Sequence, residues 1–122
     1  MRQLYSVKPR NSNAKAIVVD ALPEYQLLLK TMIKSRLGLD VLVATTAEDA
    51  LQLLKENLNE IQFVISDVVF DSKGTNIPKA MALQSSNRVK FIHFAESDIC
   101  PDRGLTVVVK TDLSKLLWTM KT

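Results

Sequence analysis

The sequence predicts an α/β protein, with a five-stranded parallel sheet held between two layers of helices. Three observations carry this expectation. Five short apolar runs, AIVVD at 16–20, VLVA at 41–44, FVISD at 63–67, KFIHF at 90–94 and TVVVK at 106–110, recur along the 122 residues, and near-continuous apolar runs mark strands buried on both faces. Helix-period segments follow four of the five runs, and such alternation implies parallel strands joined by right-handed crossovers. Three of the runs also stop at a charge, Asp20, Asp67 and Lys110, at the carboxyl ends of strands, where open α/β sheets place their ligand-binding crevice. For so short a chain the flavodoxin-like (βα)5 sandwich with strand order 2-1-3-4-5 is the natural solution.

Composition narrows the class of protein. A chain of this length forms one domain and buries roughly two thirds of its unfolded-state surface, enough for a real core. Its apolar fraction is 47% and its charged fraction 24%, ordinary values for a globular domain. No apolar run reaches the roughly 18 residues that suggest a membrane span, and MRQLYSVKPRNSNAK lacks a signal-peptide core. One cysteine, Cys100, and one histidine, His93, rule out an internal disulfide and a His/Cys zinc cluster, so a reducing cytoplasm is the expected compartment. The net charge of +3 and isoelectric point near 9.1 favour acidic partners. Part of that charge sits in residues 1–14, read as a loose leader because Pro9, Asn and Ser residues and scattered basic groups show no period; residues 15–122 form the domain.

Taken in order, Ala16 to Asp20 is the first strand. Pro23 opens a helix where its missing N–H costs nothing, Leu22, Tyr25, Leu28, Leu29, Met32 and Ile33 form its core stripe, and Gly38 ends it. A second strand spans Val41 to Ala44. Thr45 with Glu48 three residues on reads as a capping box, before a helix with Ala47, Ala50, Leu51, Leu54 and Leu58 on one face. The third strand ends at Asp67, and after a polar loop Pro78 opens a helix carrying Ile77, Ala80, Met81 and Leu83. Lys90 to Phe94 is the fourth strand. Only eleven residues, Ala95 to Leu105, lead to the fifth strand at Thr106 to Val109, fewer than a parallel crossover normally takes, so the fourth helix is expected to be short or missing. Asp112 caps a last helix whose apolar face is Leu113, Leu116, Leu117 and Met120.

Order 2-1-3-4-5 places strands one and three side by side, so Asp20 and Asp67 face each other across one crevice, with Lys110 two strands away and long enough to lean in. Two carboxylates and a lysine at one rim suit Mg²⁺ and a phosphoryl group, the acids ligating the hard cation and the ammonium pairing with phosphate oxygens. An aspartate that closes a strand also commonly caps a turn.

In their order and spacing, VVD at 18–20, ATTAEDAL at 44–51, FVISDVV at 63–69 and VVVK at 107–110 resemble the receiver domains of bacterial two-component response regulators. The resemblance covers roughly residues 15 to 120. It implies that Asp67 stands at the position that accepts phosphate from a histidine kinase, that Lys110 stands at the phosphate-pairing position, and that Asp20 is the first of a pair of metal-binding acids.

The departures from that pattern are as informative. Ala21 falls where the second acid, a direct Mg²⁺ ligand, is expected, which leaves Asp20 and Asp67 as a weak Mg²⁺ site; Glu24 lies three residues on, where an acid more often complements the helix dipole. Phe94, or Ala95 with a one-residue slip, takes the place of the hydroxyl residue that responds to phosphate. Phe70 and Asp71 replace the usual Met-Pro pair, Gly74 comes one residue early, and Thr111 follows Lys110 in place of proline. Phosphoryl transfer rests on positioning and charge neutralisation, so a missing ligand weakens the dominant contribution. Coupling suffers too, because a switch needs a group that binds the modified state better.

The sequence therefore reads as a degenerate receiver that is not an enzyme and works through a protein partner, a histidine kinase or a downstream signalling protein, or through a second copy of itself. In it Asp67 and Lys110 pair directly. An active Mg²⁺-dependent receiver phosphorylated at Asp67 and a small basic nucleic-acid-binding module are the alternatives; the latter is weaker because no interleaving of basic and aromatic residues accompanies the charge. Trp118 falls off the apolar stripe of the last helix and is the candidate interface anchor, unless it folds over the sheet edge. His93 is expected to be a satisfied core residue, Cys100 to lie in the irregular bridge, and Arg88 and Lys90 to form a solvated edge.

Overall fold

A computed structural model describes residues 14–86, 88–97 and 105–121. Five strands form one sheet: β1 (Lys15–Val19), β2 (Asp40–Ala44), β3 (Ile61–Ser66), β4 (Lys90–Ala95) and β5 (Thr106–Val109). They lie in the order β2-β1-β3-β4-β5, all parallel, so the expected architecture is the observed one. Four helices accompany them, α1 (Pro23–Leu37), α2 (Ala47–Glu56), α3 (Ile77–Ser85) and α4 (Leu113–Lys121). No helix lies between β4 and β5 among the described residues. The leader to residue 13, Cys100 and the rest of the 98–104 bridge fall outside the described residues.

Side chains alternate across the pleat, and this splits the core into two layers. Ala16, Val18, Val41, Ile65, Ile92, Phe94 and Val108 face Leu29 and Ile33 of α1 and Leu116 and Met120 of α4. On the other face Ile17, Val19, Ala44, Ile61 and Val64 meet Ala47, Ala50 and Leu54 of α2 and Ile77 and Met81 of α3. Burial on both faces is why the strands read as unbroken apolar runs.

Helix ends follow local chemistry. Pro23 occupies the first turn of α1, and Gly38 closes it at φ +71° with its N–H bonded to the Lys34 carbonyl, a left-handed cap that glycine adopts without steric cost. Thr46, not Thr45, caps α2: its hydroxyl accepts from the Asp49 N–H at 3.1 Å, while Glu48 accepts from Ser72 at 2.6 Å. Both Thr45 and Thr46 have an acid three residues on, so the motif matched twice and the backbone chose the second. Asn76 caps α3 through the Lys79 N–H, and Asp112 caps α4 through the Lys115 N–H.

Three expectations about surface and core change. Leu22, Leu28 and Leu83 are exposed: Leu22 precedes the first turn of α1 as its N-cap, Leu28 lies at the margin of the buried Leu29–Ile33 stripe, and Leu83 stands on the face of α3 opposite Ile77 and Met81. The fourth strand runs on to Ala95. Arg88 is exposed, as expected of a solvated edge residue, with its Nε donating to the Ser85 carbonyl at 2.9 Å; Lys90 departs from that expectation, being half-buried with its Nζ donating to the Thr119 carbonyl at 3.4 Å, tying β4 to the end of α4. Lys15 likewise pairs with Glu60.

This division predicts opposite results from two truncations. Ile65→Ala empties volume in the middle of the sheet, where the side chain is fully buried, and should cost about 2–5 kcal/mol in urea unfolding. Leu83→Ala, at a position 84% exposed, should change stability by less than about 0.5 kcal/mol.

Candidate functional site

Three residues just past the ends of their strands still take part in the sheet ladder. The Asp20 N–H donates to the Ala44 carbonyl at 3.0 Å, the Asp67 N–H to the Val19 carbonyl at 3.1 Å and the Lys110 N–H to the Ala95 carbonyl at 2.7 Å. Each backbone is thereby fixed by a neighbouring strand, and the three side chains meet at one rim. Lys110 Nζ lies 2.9 Å from Asp20 Oδ2 and 3.7 Å from Asp67 Oδ2. The juxtaposition read from strand order is present. The expected direct Asp67–Lys110 pair is corrected in one respect: the ammonium sits closer to Asp20, the more buried acid.

Burial sets the character of the site. The side chains of Lys110 and Asp20 are 4% and 1% exposed, that of Asp67 24%. Asp20 is also held locally, its Oδ1 accepting from the Leu22 N–H at 2.9 Å and its carbonyl from Gln26 Nε2 at 2.6 Å. Burial, reinforced by the like charge of Asp20, pushes the Asp67 carboxyl above its ordinary pKa even though Lys110 pulls the other way. For Lys110 burial disfavours the ammonium, yet the hydrogen bond and charge of Asp20, with help from Asp67, outweigh it and raise the pKa.

Aromatic groups complete the rim. The Lys110 ammonium lies 4.2 Å from the ring centroid of Tyr25, and Tyr25 meets Phe94 edge to face with centroids 6.4 Å apart. Phe94, in the position expected to carry a hydroxyl, is fully within the core. Sequence reasoning placed Tyr25 in the stripe of α1 and missed this contact, since a helical period reports a face but not where the tip of a long side chain ends.

The neighbouring loop is held by its own polar groups. Asp71 Oδ1 accepts from the N–H groups of Lys73 and Thr75, both at 2.8 Å, and the Thr75 N–H holds the Asp71 carboxyl below its usual range. Gly74 takes φ +83°, so the glycine one residue early serves this tight turn. Ser66 Oγ accepts from the Val68 N–H at 3.0 Å and donates to the Val68 carbonyl at 2.8 Å. His93 is buried, as expected, and its Nδ1 lies 3.2 Å from the Ser66 carbonyl; a carbonyl only accepts, which assigns the proton to Nδ1.

These donors do not fit a divalent cation. Both carboxylate oxygens of Asp20 are engaged by the protein, Ala21 offers no ligand, Glu24 is exposed on the first turn of α1, and among the described residues no three acidic, His or Cys side chains are grouped to hold a metal. A protein-borne cation, Lys110, sits between the two acids instead. Trp118, the other residue singled out, is 66% exposed on α4 and remote in role from the rim; it does not fold over the sheet edge.

Two substitutions should move stability in opposite directions. Lys110→Ala leaves Asp20 buried without its counter-charge and should cost about 3 kcal/mol or more. Because the folded pKa of Lys110 is raised, the wild-type contribution is complete below its ordinary value of 10.5 and is lost only as pH rises through the higher folded value. Asp67→Asn removes an ionised group that the fold disfavours and should raise the melting temperature at pH 7. An acid with a raised folded pKa weakens the fold when ionised, so this gain should shrink as pH falls through that pKa toward the ordinary value of 3.8. Thermal melts of both variants across pH check the pair.

No family model matches this chain, and no curated protein does. Among solved structures, the chain is similar to the anti-anti-sigma factor PhyR from Bartonella quintana, with a TM-score of 0.54 and 19% identity over 87% of this chain and 46% of that one. A second, RSP in complex with β-NAD⁺ and operator DNA, gives a TM-score of 0.48 at 12% identity over 89% of this chain and 55% of that one, too low to carry an argument. The chain thus spans about half the length of these structures. The first likeness is one of fold, and with the strand order it is compatible with a receiver-like α/β domain.

Proposed function

We propose that this chain is a receiver-like signalling domain in which phosphorylation at Asp67 has been lost and which acts through protein contacts. The observation that carries the reading is the placement of the Lys110 ammonium, 2.9 Å from Asp20 and 3.7 Å from Asp67. A phosphoryl-accepting site needs a divalent cation to neutralise charge as it develops. Here an internal cation offsets part of the acids' charge, Ala21 withholds a ligand, and both Asp20 oxygens already accept from the protein.

The response arm is affected in the same way. A modification shifts a conformational equilibrium only when some group binds the modified state better. Phe94 and Tyr25 pack against each other where a hydroxyl would be required, so no donor waits there for a phosphate. The fold shared with an anti-anti-sigma factor accords with a signalling role. A protein partner, whether a histidine kinase or a downstream component, would find an exposed aromatic anchor in Trp118.

Incubation with acetyl phosphate and Mg²⁺, followed by intact-mass measurement, tests the reading. The expected result is the unmodified mass at all times. Stoichiometric phosphate on Asp67 would overturn it and favour an active receiver.

A further inference from the structure

The first helix has a face that neither the core nor the rim uses. Leu27, Lys30, Thr31 and Lys34 follow one another at i, i+3, i+4 and i+7, one stripe of a helix, and this stripe overhangs the free side of β2. Between them lies a groove of about 670 Å³ floored by Val41. A smaller recess of about 220 Å³ shares Leu27 and Lys30 and reaches Val43. Leu27 is 68% exposed, an apolar residue with no core partner to account for it.

The backbone beside the groove is open as well. β2 is the end strand of the sheet and pairs only with β1 among the described residues. The Ala44 carbonyl points inward, accepting from the Asp20 N–H at 3.0 Å. Backbone polar groups alternate sides along a strand, so the N–H and C=O groups of Val41 and Val43 point outward, at the edge that lines the two recesses. Unpaired edge groups next to a concave apolar floor are what strand addition requires.

We propose that this edge docks an extended segment of another protein, added as a sixth strand beside β2, with apolar and acidic side chains alternating on the groove side. Charge selects this occupant. Lys34 is matched by Asp40 at 2.6 Å, whereas Lys30 is exposed without an ion-pair partner among the described residues, and the whole chain carries +3. A second copy is disfavoured: antiparallel pairing of two β2 edges lays the two α1 helices side by side, lysine against lysine.

The test uses the full chain, labelled with ¹⁵N, and two short capped peptides, a valine–glutamate one repeating Val-Thr-Glu-Thr and a valine–lysine one repeating Val-Thr-Lys-Thr, so that valine and the charged residue alternate on one face of the extended strand. The valine–glutamate peptide should shift the amide resonances of Val41 and Val43 and slow their exchange, and the valine–lysine peptide should not. Lys30→Glu turns one attraction into a repulsion at an exposed position and should weaken binding about tenfold with the melting temperature unchanged. Absence of shifts in β2, equal binding of the two peptides, or unaltered affinity of Lys30→Glu would each overturn the proposal. Dimerisation of the free chain through β2 in sedimentation would do the same and assign the edge to a second copy.

Discussion

One buried ammonium between two carboxylates is the constraint on which the rim of this protein depends. Taking a charge out of water is expensive, and the expense is met only by a close opposite charge with further hydrogen bonds. Lys110 and Asp20 are both almost wholly enclosed, so neither is tolerable without the other. Their meeting requires β1 and β5 to end level with each other, on either side of β3 and β4, which the parallel register supplies. Asp67 is the odd charge. With two acids and one base the cluster keeps an excess negative charge, and burial, reinforced by the like charge of Asp20, lifts the Asp67 carboxyl above its ordinary pKa.

The aromatic pair follows from the same constraint. An ammonium needs more than one carboxylate to replace its lost water, and the face of Tyr25 supplies a second favourable surface, an interaction worth roughly 0.5–2 kcal/mol depending on exposure. Phe94 holds that ring edge on. A hydroxyl at Phe94 would exchange core volume for a polar group in need of a partner, and Phe94 lies fully within the layer formed with α1 and α4. The rim has thus become an extension of the hydrophobic core, with the Lys110–Asp20 pair matched internally and Asp67 left as the unmatched charge.

Much of this was readable beforehand for a simple reason. Strands buried on both faces have no polar alternation to blur them, so each apolar run and each charge that ended it stood out, and Asp20, Asp67 and Lys110 met where strand order put them. What escaped depends on degrees of freedom that period and spacing do not encode. Lys110 has four rotatable bonds, and its preference for Asp20 reflects burial at atomic scale. Tyr25 counted as one more member of a helical stripe, while its ring tip belongs to the site. Thr45 and Thr46 offered the same cap, and only the course of the chain out of β2 separated them. Leu28 matched the apolar period of α1 yet stays partly exposed, and Leu83, two residues past Met81, falls on the face of α3 away from the sheet.

On the proposed signalling reading, these features bear on how such a domain transmits a signal. A receiver that switches must hold two arrangements of similar free energy, with a modification favouring one. In this chain the groups that would respond are enclosed: the ammonium is bound to an acid inside the fold, the hydroxyl is a phenyl ring, and the loop after β3 is fastened by Asp71. Such a rim favours a single arrangement. A domain with one arrangement conveys information by being present or absent, or by competing for a site, rather than by changing shape. Its specificity must then come from surface that is permanently available. On the proposed reading that surface lies away from the rim, along the edge of β2 and on the exposed face of α4, where open backbone groups, unmatched lysine charge and an exposed tryptophan remain after the interior has been satisfied.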